Sequence, residues 1–422
     1  MIDLVAEDQK NIWHPYTQMK NALPPIPIVR GEGAHLFKEN GEKLIDAVSS
    51  WWVNIHGHSH PYIANEVFKQ LNTLEHVIFA GFTHPKAVEL STKLLSILPS
   101  NQAKVFFSDN GSTAVEVAIK MCLQFWFNQG VKRNKVLAFA DAYHGDTFGA
   151  MAVSGRSAFT RPFDALLFDV EFIELPTKHN LQNLKSKISS LKSELACFIF
   201  EPLVLGAGGM LMYEAQHLDE LIAHCKTEQV LTIADEVMTG FGRTGKYFAS
   251  DHLQNKADLM CFSKGITGGT MPLGLTTCTL EIYNAFLSDD KLKTLFHGHS
   301  FTANPVACAA ACASFDILTQ PETMANINRV VQNHQQFNQK IQHHPKLKEV
   351  RQTGTIIALE WLNDSKTSYF NNLRDKLYHF FLDRGIILRP LGNILYILPP
   401  YCISDEDLHY IYQQIELALE EF

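Results

Sequence analysis

Two ionisable residues, Asp235 and Lys264, each close an apolar run. Asp235 ends Thr232-Ile233-Ala234-Asp235, and Lys264 follows Leu259-Met260-Cys261-Phe262-Ser263. Both runs read as strands, and open parallel sheets hold ligands at the C-terminal ends of their strands. An amine taken out of water beside an acid suits one chemistry well: a Schiff base to pyridoxal phosphate, with the carboxylate on the pyridinium nitrogen. The plainer alternatives are a buried acid that pairs with an arginine or caps a helix, and a strand-exit lysine that reaches water. Gly265 and the pair Gly268-Gly269 follow Lys264 closely, and such glycines leave room for a bulky ligand.

That coenzyme also needs a phosphate cradle and a face for its ring. Ser108-Asp109-Asn110-Gly111-Ser112-Thr113 follows a strand and opens a helix. Free amides at such a helix start, together with its dipole, suit a dianionic phosphate. Gly111 lets the backbone come close, Ser112 adds a hydroxyl, and Thr113 with Glu116 fits a capping box. The alternative is an ordinary capped helix. Tyr143, in Asp141-Ala142-Tyr143-His144-Gly145-Asp146, stands just past another strand and is the candidate ring face; otherwise it is a loop aromatic filling a gap.

Two further motifs point elsewhere. Gly240-Phe241-Gly242-Arg243-Thr244-Gly245 has G-x-G-x-x-G spacing, but its strand has already ended at Asp235, whereas a dinucleotide fingerprint opens a helix directly from its strand. His56-Gly57-His58-Ser59-His60 alternates histidines, but no acid stands at a suitable spacing and Pro61 marks a turn. No metal is expected.

The elements that must position these residues read as a mostly parallel α/β sheet. Strand candidates are 104–108, 136–140, 197–200, 230–234, 259–262 and 275–279, with helices at 86–98, 113–128 and 215–228. Near-continuous apolar strands alternating with helices imply a sheet covered on both faces. Residues 34–38 and 43–46 form a hairpin, and a thin Ala- and Cys-rich helix begins after Asn304-Pro305. The expected division is 1–49 as the N-terminal part of a small domain, 50–319 as a large coenzyme-binding domain, and 320–422 as a C-terminal small α+β domain.

Bulk properties narrow the class. In 422 residues the net charge is −8, with 46% apolar residues and no basic block. Nucleic acid is not an expected partner. No apolar run is long enough for a bilayer, and the N-terminus lacks the cationic and apolar regions of a signal peptide. Eight cysteines contain no C-x-x-C pair and several lie in apolar runs, so reduced thiols and a cytosolic setting are expected.

Taken together, Ile233-Ala234-Asp235-Glu236-Val237, Gly240-Phe241-Gly242-Arg243-Thr244-Gly245, Ser263-Lys264-Gly265 and His297-Gly298-His299-Ser300-Phe301 resemble the class III (ω-type) aminotransferases of fold type I, over nearly the whole chain. The resemblance implies pyridoxal phosphate as cofactor and small molecules as substrates. It implies a homodimer in which Ser300 reaches the partner's phosphate. Catalytic roles fall on Lys264, Asp235 and Tyr16. Cofactor contacts fall on Gly111, Ser112, Tyr143, Asp235, Lys264, His299 and Ser300, and substrate contacts on Trp51, Tyr143, Lys264, Gly298 and Arg389.

Four local features resemble one branch of that family more than the rest: His14-Pro15-Tyr16-Thr17-Gln18-Met19, Ser49-Ser50-Trp51-Trp52, the segment from Tyr143 to Met151, and Arg389-Pro390-Leu391-Gly392-Asn393. They imply an acceptor with a long aliphatic chain and a terminal carboxylate that Arg389 would grip in bidentate fashion. An intradomain salt bridge is the other reading of Arg389. Trp51 is expected to face substrate and Trp52 to pack, since neighbours on an extended segment face opposite ways. The chain departs from that branch in two places: His299-Ser300 stands for its usual Pro-Thr, and Leu205 for a common glutamine. Rivals are an ornithine, 4-aminobutyrate or diamine enzyme of the same family. More distant is a silent scaffold of the same fold, which would need neither Lys264 nor Asp235.

Overall fold

The computed structural model describes residues 2–362 and 371–422. Its centre is a seven-stranded sheet in the spatial order Gln102–Ser108, Gly274–Thr279, Leu259–Phe262, Leu231–Asp235, Leu195–Phe200, Lys135–Phe139, Val170–Ile173. Gly274–Thr279 runs antiparallel to both neighbours, and the other adjacent strands are parallel. This is a mostly parallel α/β sheet, as the alternating pattern predicts.

Burial on both faces explains the sequence of the central strands. All six residues of Leu195–Phe200 are buried, so the strand reads LACFIF with no polar position. Phe139 and Phe198 meet edge to face at 5.2 Å, and burying each such ring contributes about 1.5–3 kcal/mol. The helix Gly111–Asn128 covers one face, where its Thr276 and Cys261 neighbours both donate to Ala114 O. The Ala- and Cys-rich helix Pro305–Leu318 is apolar nearly all round. It lies buried against Pro61–Leu71 and Pro85–Ile97, where small side chains permit close approach.

Residues from both ends of the chain build the remainder together. Ile28–Glu32, His35–Lys38 and Lys43–Asp46 form an antiparallel set, and Ile386–Ile387 adds to it in parallel beside Lys43–Asp46. A second sheet joins Leu347–Thr353, Ile356–Trp361 and Ile394–Ile397. The helices Pro321–Ile341, Leu373–Leu382 and Asp405–Glu421 belong to this part.

The strands Ile28–Glu32, Val170–Ile173 and Leu347–Thr353 escape the sequence reading. Leu347–Thr353, LKEVRQT, carries few apolar residues. It is held instead by Arg351, which is buried, pairs with Glu360 at 2.7 Å and donates to the carbonyls of Gly209 and Met210.

The G-x-G-x-x-G stretch is loop, with Phe241, Gly242 and Gly245 at positive φ. Its Arg243 is buried and donates to Pro399 O at 2.8 Å and Trp52 O at 3.3 Å. The alternating histidines turn to separate partners: His56 to Ser314 at 2.9 Å, and His58 to Asp46 and Asn54, each at 2.9 Å. Among the described residues no helix is long and apolar enough to cross a membrane.

Candidate active site

Asp235 and Lys264 meet in one cavity of about 290 Å³ at the C-terminal edge of the sheet. The strands that carry them are parallel neighbours with Asp235 opposite Cys261, so the two side chains leave the sheet at the same edge. Lys264 opens a short 3₁₀ turn at φ 47°, a conformation closed by Gly268 at φ 62°. Burial lowers the pKa of its ammonium, with Asp235 and Glu201 pulling in the opposite direction.

Among the described residues Asp235 pairs with no arginine. Its Oδ2 lies 2.6 Å from His144 Nδ1, and its Oδ1 accepts the Val237 amide at 3.0 Å. A carboxylate there calls for the Nδ1-protonated imidazole. His144 is held in turn through its own amide, which donates to Ser154 Oγ at 2.9 Å. Glu201 is a second buried acid in this cavity. It accepts the Tyr143 amide on Oε2 and the Gly206 amide on Oε1, both at 3.0 Å. Burial pushes its pKa up to about 7, although nearby His144 and these amides favour the charged form.

The helix starting at Gly111 opens into the same cavity. Its cap corrects the sequence expectation. Asn110, not Thr113, is the N-cap, exchanging hydrogen bonds with Thr113. Glu116 instead accepts from Thr147 Oγ1 and the amides of Gly149 and Ala150, fixing the loop beyond Tyr143. No hydrogen bond from the amides of Gly111 or Ser112 is found among the described residues. Close approach is enforced here: a Cβ on Gly111 would lie 2.8 Å from Val237 Cγ1, and one on Gly145 2.1 Å from Ser112 Oγ.

Tyr143 lines the cavity, and burial followed by its contact with Tyr16 raises its hydroxyl pKa. Tyr16 arrives from the N-terminal segment. Its hydroxyl is 3.4 Å from that of Tyr143 and donates to Asp146 Oδ2. Its ring meets Trp51 at 5.6 Å. On Trp51 lies the Arg389 guanidinium, 4.3 Å from the ring centroid, with no carboxylate partner among the described residues.

Trp52 is packed in the core, as expected, but the premise of that expectation is corrected. Trp52 also lines the cavity, with Lys264 Nζ 5.3 Å from its ring centroid and its indole N–H on Tyr396 at 3.1 Å. The reason is local geometry. Ser49–Trp52 is not extended but a left-handed turn, so the alternation of an extended segment does not apply to the two tryptophans. Left-handed backbone costs a non-glycine residue about 1–2 kcal/mol.

Gly298, His299 and Ser300 do not line this cavity. Ser300 is exposed, and the segment is tied locally through Thr302 Oγ1, which accepts from His299 N and donates to His299 O. Within one chain these three residues are not brought to the others. His144, Glu201 and Trp52 are site residues that the sequence reading did not assign to the cavity.

The residues present fit pyridoxal phosphate. Amides open at a helix start, glycines leave space that a Cβ would fill, and an acid and an amine share the cavity. The Aminotransferase class-III family model matches residues 16–419, and the chain belongs to that family. Its enzymes depend on pyridoxal phosphate. Among its relatives is the adenosylmethionine-8-amino-7-oxononanoate aminotransferase of Synechococcus elongatus, 46% identical over 97% of this chain and 99% of its own length. The Geobacter sulfurreducens enzyme of the same name is 37% identical over 98% and 96%. The crystal structure of that enzyme from Methanocaldococcus jannaschii superposes with a TM-score of 0.95 at 35% identity, covering 99% of this chain and 98% of that one. An omega transaminase from Pseudomonas jessenii in complex with PMP reaches 0.93 at 26%, covering 100% and 98%.

Proposed function

We propose that the protein transfers the amino group of adenosylmethionine to 8-amino-7-oxononanoate, giving 7,8-diaminononanoate for biotin synthesis. The donor's amine-bearing carbon becomes an oxo carbon, and C7 of the acceptor becomes the amine-bearing one. The observation that carries this reading is Arg389 lying over Trp51 without a carboxylate partner among the described residues. A guanidinium held on an indole beside Tyr16 suits an aliphatic chain that ends in a carboxylate. The relatives named above share that substrate name.

When bound, the coenzyme supplies an aldehyde to carry nitrogen and a pyridinium ring to take up electrons. Gly111 and Ser112 would hold its phosphate and Tyr143 its ring face. Asp235, braced by His144, would keep the proton on the ring nitrogen. Lys264 Nζ would move the proton between the substrate carbon and the coenzyme carbon, a task for which burial favours its neutral form. Trp51, Tyr16 and Tyr143 would wall the acceptor's chain, and Arg389 would bind its carboxylate.

The assembly we propose is a cytosolic homodimer. Gly298–Ser300 lies outside its own cavity, and exposed Phe296 and Phe301 flank it. Apolar groups of this size on a surface suit an interface. The cysteines are free and all but Cys402 are buried, which suits a reducing compartment.

The test is a pair of half-reactions. Holoenzyme is mixed with adenosylmethionine or with lysine, and the coenzyme's absorbance is followed. The 8-amino-7-oxononanoate is then added and 7,8-diaminononanoate assayed. Conversion by adenosylmethionine and return by the oxononanoate are expected. Conversion by lysine alone would replace the donor, and return only by succinic semialdehyde or another ω-oxo acid would replace the acceptor.

A further inference from the structure

The turn that carries both tryptophans is built against its own backbone preference. Ser49, Ser50, Trp51 and Trp52 have φ of 52, 44, 73 and 74°, and none is glycine. Such a run persists only where its surroundings over-determine it. The surroundings here are specific. Asp46 is wholly buried beneath the turn. Its Oδ1 accepts the amides of Ser50 at 2.9 Å and Val48 at 3.3 Å. Its Oδ2 accepts the Ser50 hydroxyl at 2.7 Å and His58 Nε2–H at 2.9 Å. His58 is fixed in that tautomer by Asn54, whose Nδ2 donates to its Nδ1 at 2.9 Å. From the far side Ser49 Oγ donates to Leu398 O at 2.8 Å, and Arg243 Nη2 reaches Trp52 O at 3.3 Å.

The two indoles do not depend on this support equally. Trp52 is buried against Gly206 and Tyr396, which grip it independently. Trp51 is partly exposed, and among the described residues its ring partners are Tyr16 and Arg389. A relaxed turn therefore displaces Trp51 most, and with it the face on which Arg389 rests.

We propose that Asp46, backed by His58, is a positioning residue for the acceptor: it holds the left-handed turn and so sets Trp51 and Arg389. The claim about the acceptor rests on the function proposed above; the claim about the turn does not.

The experiment uses Asp46→Asn and the double variant Asp46→Asn/Ser50→Gly. Glycine adopts the left-handed conformation without a Cβ clash, so it should replace the strap's effect. Two readouts are taken: amide hydrogen exchange of the full coenzyme-free chain, and KM for each half-reaction of the holoenzyme. Expected for Asp46→Asn are faster exchange confined to residues 47–54, KM for 8-amino-7-oxononanoate up by about tenfold, from loss of hydrogen bonds to a charged group, and a donor half-reaction changed by less than about threefold. The double variant should recover most of the protection and of the KM.

Wild-type exchange in Asp46→Asn overturns the proposal. So does faster exchange across the whole chain, an equal effect on both half-reactions, or a double variant no better than the single one. Should Asp46→Asn fail to fold, His58→Ala must show the same local pattern to a smaller degree, and no change in residues 47–54 overturns the strap. A wild-type enzyme inert toward the oxononanoate, with exchange as expected in the variants, sinks the acceptor claim and leaves the turn standing.

Discussion

Lys264 sits between opposed influences: burial favours the neutral amine, Asp235 and Glu201 favour the ammonium, and burial prevails. A neutral amine is what a nucleophile and proton carrier requires. Lys264→Ala should therefore lower turnover by more than about 10²-fold and remove the visible absorbance of the purified holoenzyme; a yellow variant with normal turnover would refute the assignment. Arg389→Ala should raise KM for the oxononanoate by about 10- to 100-fold, as expected for a lost charge-assisted contact, and leave the donor half-reaction near wild type. Glu201 lends itself to a pH test on the coenzyme-free protein. Its folded pKa of about 7 lies above its ordinary 4.5. The folded state thus holds the proton more tightly, and this contribution, about 3 kcal/mol at most, is full below the unfolded value and lost as pH rises through about 7. Urea titrations from about pH 5 to about pH 8 should show stability falling more steeply in wild type than in Glu201→Gln. An identical slope would mean that Glu201 is ionised throughout. The rule that finds Asp235 in the sequence, an acid closing an apolar run, also finds Glu201 after Leu195–Phe200. His144 is different. It lies within a segment singled out for its tyrosine, and only the folded register of Asp235 gives it a role.

Elements were legible where their residues obey one local rule. Of the strands that deliver the site, Leu259–Phe262 is apolar throughout and Leu231–Asp235 departs only at Thr232 and its closing acid, and the helix at Gly111 announces itself by the Asn-Gly-Ser-Thr start. The cap itself differs from the sequence expectation because Asn110 and Thr113 satisfy each other three residues earlier, which frees Glu116 for the loop after Tyr143. Ser49–Trp52 is not legible in the sequence: two serines and two tryptophans give no hint of positive φ, and the contacts that impose it are Asp46 just before the turn together with Leu398 and Arg243, distant in sequence. The junction of the Gly111 helix with the Tyr143 loop gives an element-scale prediction. Gly145 stands at φ 136° with room for no Cβ, since Ser112 Oγ would be 2.1 Å away and its Cα 2.9 Å. Gly145→Ala must push the loop and the helix start apart, at about 1–3 kcal/mol. Equilibrium dialysis should show weaker pyridoxal phosphate binding, and urea unfolding a lower midpoint. Undiminished coenzyme affinity would show that the two elements need not touch for the cradle to form.

At the scale of the molecule, the proposed dimer assigns the phosphate contact of Ser300 to the partner subunit. The cavity of one chain has Lys264, Asp235, Glu201, Tyr143 and the start of the Gly111 helix, while Ser300 stands outside it on an exposed segment. If a second copy closes the cavity, the deficiency and the exposed segment are the same feature seen from two subunits, as in an isologous interface, where each patch meets its own equivalent. Mixed dimers decide it. Ser300→Asp places a carboxylate where a phosphate should be met and is expected to weaken coenzyme binding by at least about tenfold. Lys264→Ala abolishes the other half of the site. Two-tag purification isolates dimers with one subunit of each kind. If Ser300 serves the partner, one cavity in that dimer combines an intact Lys264 with the intact Ser300 of the other subunit, and activity appears that neither parent possesses at the same coenzyme concentration. If Ser300 serves its own chain, every cavity carries a lesion and mixing restores nothing. A monomer in sedimentation at working concentration, with full activity, would remove the premise altogether.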